Sequence, residues 1–170
     1  DFVNKFGEQT SWVLMTGGWM RDTRDSGFIP TRGQLQTANL EVTVPTGQLR
    51  YWKATYNNQI YLPLNKDVIL ALNGDIGVGR SFSGSEYPLF KNFYAGGIGS
   101  VRGYSPSTLG PGRDPIDNVP LGGQTRLVGS TELQMPLPGT GNDRSFRTFV
   151  FGDAGNVYPL GNISLSELRY

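Results

Sequence analysis

The strongest constraint on the fold of this chain is a two-residue alternation of apolar with small or polar side chains, repeated over long runs. It is clearest in residues 68–79, where valine, leucine and isoleucine occupy most even positions and glycine, alanine, asparagine and aspartate most odd ones. Because successive side chains of a β-strand point to opposite faces of its sheet, this pattern predicts strands with one apolar face. It predicts six strands, which span residues 11–21, 34–44, 49–62, 68–79, 124–135 and 146–155. Leu168–Tyr170 is interpreted as the start of a seventh strand.

The lengths of these runs favour a membrane protein. They contain between ten and fourteen residues, whereas strands of globular proteins mostly have about five to six and a tilted membrane strand needs about 9 to 11. The composition agrees, since aromatic residues make up 12% of the chain and charged residues only 17%, against roughly 25% in an average soluble domain. We therefore predict an all-β fold, an antiparallel transmembrane β-barrel. A soluble β-sandwich, which also has an apolar inner face, is the alternative.

Several classes of function are excluded or disfavoured by composition. The chain has neither cysteine nor histidine, so it has no disulfide, zinc–thiolate site or thiol nucleophile, and it lacks the commonest general base. The formal net charge is +1 without a basic run, which argues against nucleic acid as a partner. Asp75 with Asp153 or Glu132 could form a catalytic carboxylate pair, but nothing in the sequence places them over a cleft. We predict no catalytic residues, no metal, no cofactor and no enzymatic activity.

The connections between strands have two lengths. Short joints rich in Pro, Gly, Asn and Asp occur at residues 63–67 and 136–143, whereas one long connection spans about residues 80–121. Short turns on one side and a long loop on the other are typical of outer-membrane barrels. Six or seven strands are fewer than the minimum of eight in bacterial barrels, and an open sheet in lipid leaves backbone groups unpaired. Residues 1–170 are therefore expected to be part of a larger barrel domain.

The long connection contains the most specific motif of the chain. It reads Phe93-Tyr94-Ala95-Gly96-Gly97-Ile98-Gly99-Ser100-Val101-Arg102-Gly103-Tyr104, then Thr108-Leu109-Gly110-Pro111 and Leu121-Gly122-Gly123. This sequence resembles the sixth extracellular loop of the BamA-type outer-membrane β-barrel assembly factors, a family of the surface-antigen, POTRA-barrel superfamily. Two further segments agree in order and spacing: Thr23-Arg24-Asp25 with Pro30 and Gly33 resembles a periplasmic turn of the family, and Arg147-Thr148 with Phe151, Asp153, Gly155 and Val157 resembles one of its strands.

The resemblance implies an architecture and a site. The chain would be the C-terminal part of a sixteen-stranded barrel, with the loop at about residues 80–121 folded into the lumen and with the POTRA repeats and terminal strands absent. In the family the loop arginine meets two acidic residues of the inner wall, and this tether carries over to Arg102, Glu132 and Asp153. The other loop-motif residues are Gly96, Gly97, Val101, Gly103 and Tyr104. The alternation supports Glu132 independently, because it lies on the polar face of its strand, but it leaves the facing of Asp153 open.

The resemblance also implies a function. The protein would belong to the machinery that folds β-barrel proteins and inserts them into the bacterial outer membrane, without catalysing a reaction. Its expected partners are outer-membrane lipid, unfolded β-barrel clients and, through the absent POTRA repeats, accessory Bam lipoproteins. The alternative is a polypeptide transporter of the two-partner-secretion type, from the same superfamily and with the same inward arginine loop. In both cases we expect the bacterial outer membrane as the location.

Overall fold

A computed structural model of the chain describes residues 11–44, 49–82, 84, 86–139, 146–161 and 163–170. Within these residues, six strands pair antiparallel with their chain neighbours in one sheet of order β1 to β6. The strands are β1 (Leu14–Asp22), β2 (Gly33–Thr43), β3 (Tyr51–Pro63), β4 (Ile69–Ser81), β5 (Thr125–Pro136) and β6 (Arg147–Tyr158). The predicted all-β antiparallel fold is confirmed. The two ends of each predicted strand lie within three residues of the ends of the corresponding observed strand.

The helical content of the described residues is small. It consists of two short 3-10 helices, Leu89–Lys91 and Leu165–Glu167. None of the helices in this part of the chain is long and apolar enough to cross a membrane. The segment predicted to begin a seventh strand makes one antiparallel bridge, between Arg169 and Gly155.

The register of the sheet assigns alternate side chains to two faces. We call the face that carries the β4–β5 connection the inner face, and the opposite one the outer face. Across the inner face run neighbouring polar residues in register: Gln59 lies opposite Asn73, Asn73 opposite Ser130, and Ser130 opposite Asp153. The outer face presents exposed large apolar side chains from five strands, Trp19, Leu40, Leu62, Ile76 and Val150 among them. An exposed apolar face of this extent is what a strand surface in contact with lipid requires.

The turns differ in how far they match the predictions. In the β1–β2 turn, Arg24 donates to Asp22, and the Asp25 carboxylate accepts the amides of Thr31 and Arg32, so both aspartates have partners within their own turn. The predicted joint at 136–143 lies partly outside the described residues. The β4–β5 connection runs over residues 82–124, which includes most of the predicted long loop.

Candidate functional site

The β4–β5 connection returns to the sheet because its two limbs pair with each other. Phe93 and Gly123 exchange backbone hydrogen bonds of 2.8 and 2.9 Å, and the Leu109 amide donates to the Ala95 carbonyl at 3.0 Å. Between these limbs the tip turns back on itself, where the Gly97 amide donates to the Val101 carbonyl at 3.1 Å. The paired limbs thus carry residues 96–108 as a compact tip on the inner face.

The predicted motif glycines shape this tip. Gly96 has φ of +105°, and a Cβ on it would lie 2.6 Å from the carbonyl oxygen of Ser105. Gly97 and Gly103 each have φ of +92°. Residues with a side chain rarely adopt such positive φ angles, because their Cβ crowds the backbone. These positions therefore need glycine.

An apolar cluster holds the tip against β5 and β6. Val101 is fully buried, and it clusters with Phe93, Ala95 and Leu109 of the loop against two wall residues, Val128 and Val157. Room for Val101 comes from Gly155, since a Cβ there would lie 3.0 Å from the Val101 Cγ2. Tyr104, the last motif residue, is partly buried against the same cluster. This packing fixes the backbone immediately before Arg102.

The structure brings Arg102 together with both predicted acidic partners. Its Nε and Nη2 donate to the two oxygens of Asp153, both at 2.6 Å. Its Nη1 lies 2.5 Å from Glu132 Oε1. The Arg102 backbone amide also donates to Asp153, at 2.9 Å. The planar guanidinium therefore spans two carboxylates, an arrangement that its fixed fork of donors allows.

Two further residues contact Arg102, and the sequence analysis did not identify them. Arg102 Nη2 donates to the Ser130 hydroxyl at 3.1 Å, and that hydroxyl donates to Asp153. The Arg102 Cζ lies 3.7 Å from the ring centroid of Phe151, a distance at which the ring face attracts the cation. Ser130 pairs with Asp153 and Phe151 with Glu132 in the strand register, so strand pairing was the signal that would have identified them.

The burial of the group makes its charges interdependent. The Asp153 side chain is 1% exposed and that of Arg102 is 15% exposed, whereas Glu132 is 27% exposed. The hydrogen bonds to Asp153, and then those to Glu132, raise the pKa of Arg102 above its ordinary value. The guanidinium consequently stays charged under all ordinary conditions. We call Arg102, Ser130, Glu132 and Asp153 the arginine anchor.

The arginine anchor is a charge-paired contact between the loop and the wall. Its carboxylates are occupied by the guanidinium, and the residues that the structure describes contain no cluster of three or more acidic side chains suited to a metal. A charge network of this kind fixes one loop conformation and resists its displacement. The group is therefore suited to holding the loop on the wall.

Comparison with known proteins identifies the family. Residues 6–168 match the model of the Omp85 superfamily domain. The chain belongs to the Omp85 superfamily. Over 169 residues it is 38% identical to outer membrane protein assembly factor BamA of Neisseria meningitidis, an alignment that covers 93% of this chain and 21% of that protein.

The chain is also similar to a eukaryotic protein and to a solved structure. A SAM50-like protein of Schizosaccharomyces pombe is 33% identical over 148 residues, which cover 84% of this chain and 30% of that protein. The structure of BamA from Haemophilus ducreyi lacking POTRA domains 1–3 superposes with a TM-score of 0.79 at 29% identity, covering 86% of this chain and 30% of that one. The Omp85 segment thus spans between 21% and 30% of these relatives, and it matches part of a BamA barrel.

Proposed function

We propose that this Omp85 segment is the C-terminal part of a bacterial outer-membrane barrel that folds and inserts other β-barrel proteins, acting without catalysis. Residues 1–170 would supply barrel wall, with the loop at about residues 80–121 entering the lumen from the cell exterior. The single observation that carries the proposal is the arginine anchor, in which Arg102 of the loop bridges Glu132 and Asp153 of the wall. Relatives named as assembly factors or as sorting and assembly machinery components support it.

The physical role of the segment follows from the two faces of its sheet. The apolar outer face would contact outer-membrane lipid, while the polar inner face holds the loop. A client strand entering the bilayer must satisfy its backbone hydrogen bonds, and pairing with another strand supplies the partners that lipid lacks. Unfolded β-barrel proteins would be the clients. Accessory Bam lipoproteins would bind POTRA repeats outside this segment.

A transporter of the two-partner-secretion type is the second candidate, because it would use the same inward loop. The names of the relatives favour assembly. The two functions differ in what the protein handles, since an assembly factor serves many barrel clients and a transporter serves one secreted partner.

Complementation tests the proposal. The full-length protein is expressed in a bacterial strain depleted of its own assembly factor, and folded porins in the outer membrane are measured. We expect wild-type protein to restore porin levels and Arg102→Ala to restore them less well. Failure of the wild-type protein to restore porins, with secretion of a single partner polypeptide instead, would favour the transporter.

A further inference from the structure

We infer that the loop has a second anchor, in which Phe93 and Tyr87 rest on two glycines of β4, Gly77 and Gly79. These four residues, which we call the aromatic anchor, would position the amino-terminal limb of the loop separately from Arg102. The inference deepens the proposed function. It rests on that function only for the role given to the aromatic anchor, because the contacts themselves are independent of any activity.

The two glycines leave room for the rings. Both lie on the inner face of β4, where a Cβ on Gly77 would lie 2.4 Å from Phe93 Cε1, and one on Gly79 would lie 2.1 Å from the Tyr87 hydroxyl oxygen. Real side-chain atoms do not approach so closely, so any other residue would displace the rings. By contrast, a Cβ on Gly74 of the same strand would meet no described atom within 4 Å.

The rings are buried and contacted from the sides. Phe93 is 4% exposed and Tyr87 is 7% exposed. Tyr87 meets Tyr51 edge to face, with ring centroids 5.7 Å apart. Lys53 Nζ lies 4.1 Å from the Phe93 centroid, close enough for a cation–π attraction. The wall thus binds both rings by shape, and Phe93 also through the charge of Lys53.

Polar contacts fix the chain between the two rings. The Lys91 carbonyl accepts from Lys53 Nζ at 2.8 Å and from the Tyr87 hydroxyl at 3.2 Å. The Lys91 ammonium forms a 2.6 Å ion pair with Glu41 of β2. Burial, and then the charge of Glu41, raise the pKa of Tyr87 to about 12, so its hydroxyl keeps the proton that it donates.

The two anchors use different parts of the wall. The arginine anchor uses β5 and β6, whereas the glycines and polar contacts of the aromatic anchor lie on β2, β3 and β4, and only its Phe93 ring also reaches β5 and β6. They meet in the apolar cluster that Phe93 shares with Val101. Release of Arg102 should therefore free the tip at residues 96–108, while the Phe93–Gly123 pairing at the base remains.

Hydrogen exchange on the full-length protein in lipid bilayers tests this, with Gly77→Ala and the matched control Gly74→Ala. Both variants add one methyl group to β4, but only the first intrudes on a ring. We expect the Phe93 and Gly123 amides to exchange about tenfold faster in Gly77→Ala, the size of effect that overpacking produces, and to be unchanged in Gly74→Ala. Equal exchange in the two variants would overturn the inference.

A second variant keeps the test decisive where Gly77→Ala does not fold. Phe93→Ala removes the ring and leaves the strand sequence intact, and it should loosen the same two amides. Adding Gly77→Ala to Phe93→Ala should then cause little further loosening, because the ring that would clash is gone. Full addition of the two effects, or normal protection in Phe93→Ala, would show that the ring does not rest on Gly77. Neither readout depends on whether the protein assembles barrels.

Discussion

The tip and the base of the loop are held on the same wall by different physics. The arginine anchor at the tip is a network of charged hydrogen bonds around Asp153, which is almost fully buried. The aromatic anchor at the base depends on the space that Gly77 and Gly79 leave because glycine has no side chain. Charge networks are directional and fail when one partner is lost, whereas ring packing fails when volume is added or removed. We therefore expect that one end of the loop can be released while the other stays on the wall.

The largest expected effect comes from Arg102→Ala. It leaves the Asp153 carboxylate buried without its cation, and breaking such a pair costs about 3–5 kcal/mol. We expect the lower end of this range, since Glu132 is 27% exposed. Exchange at the Gly97 amide, whose partner is the Val101 carbonyl, should increase strongly, while the Phe93 and Gly123 amides stay protected.

Arg102→Lys is the matched control, because it keeps the charge but cannot span two carboxylates. In this variant, the hydrogen-exchange rate of the Gly97 amide at the tip should lie between the rates in wild type and in Arg102→Ala. If Arg102→Ala loosens the base as much as the tip, the two anchors form one cooperative unit and do not act separately.

A smaller effect should separate the two acidic partners of Arg102. Asp153→Asn places an amide group where both oxygens now accept from arginine, so we expect the free energy of unfolding to fall by about 2–3 kcal/mol. Glu132→Gln keeps one oxygen for Nη1 at a partly exposed position, and we expect the free energy of unfolding to fall by about 1 kcal/mol or less. Thermal unfolding of the two variants in detergent measures the difference. Equal losses would mean that Glu132 is as tightly bound as Asp153.

The fold and the site were predictable to different degrees. The strands followed from alternation, because a sheet with one apolar and one polar face imposes a two-residue period on its sequence. The alternation predicted the inner facing of Glu132, while Asp153 shares its parity with Phe149 and Phe151 and was left open. In the structure this row faces inward, as the contacts of both Phe151 and Asp153 with the Arg102 guanidinium show.

The aromatic anchor could not be predicted from the sequence. Gly77 and Gly79 fit the small and polar face of β4, but a glycine carries no group that indicates what will rest on it. Phe93 lies sixteen positions along the chain, in a connection without periodicity. Only the path of the loop back across β4 brings ring and glycine together, and that path depends on the pairing of the two limbs.

The smallest expected effect is a pH response confined to the base. The folded-state pKa of Tyr87, about 12, lies above its ordinary value of 10.0. The contribution of this hydroxyl is therefore fully present below pH 10.0 and lost as the pH rises through about 12. The tip should not respond there, since the hydrogen bonds to Asp153 hold the pKa of Arg102 above its ordinary value. Ultraviolet titration of tyrosinate should lose the absorbance change of one late-titrating tyrosine in Tyr87→Phe; an unchanged late titration in that variant would contradict the prediction.

The outer turn of the loop offers a place to observe these motions. Beyond the paired limbs, Arg113 bridges to Pro120, and the Asp114 carboxylate accepts the amides of Ile116 and Asp117. Ile116 at this turn is 88% exposed. A fluorescent label introduced at Ile116 would touch neither set of wall contacts, so its emission could report in real time when the loop swings away from the wall.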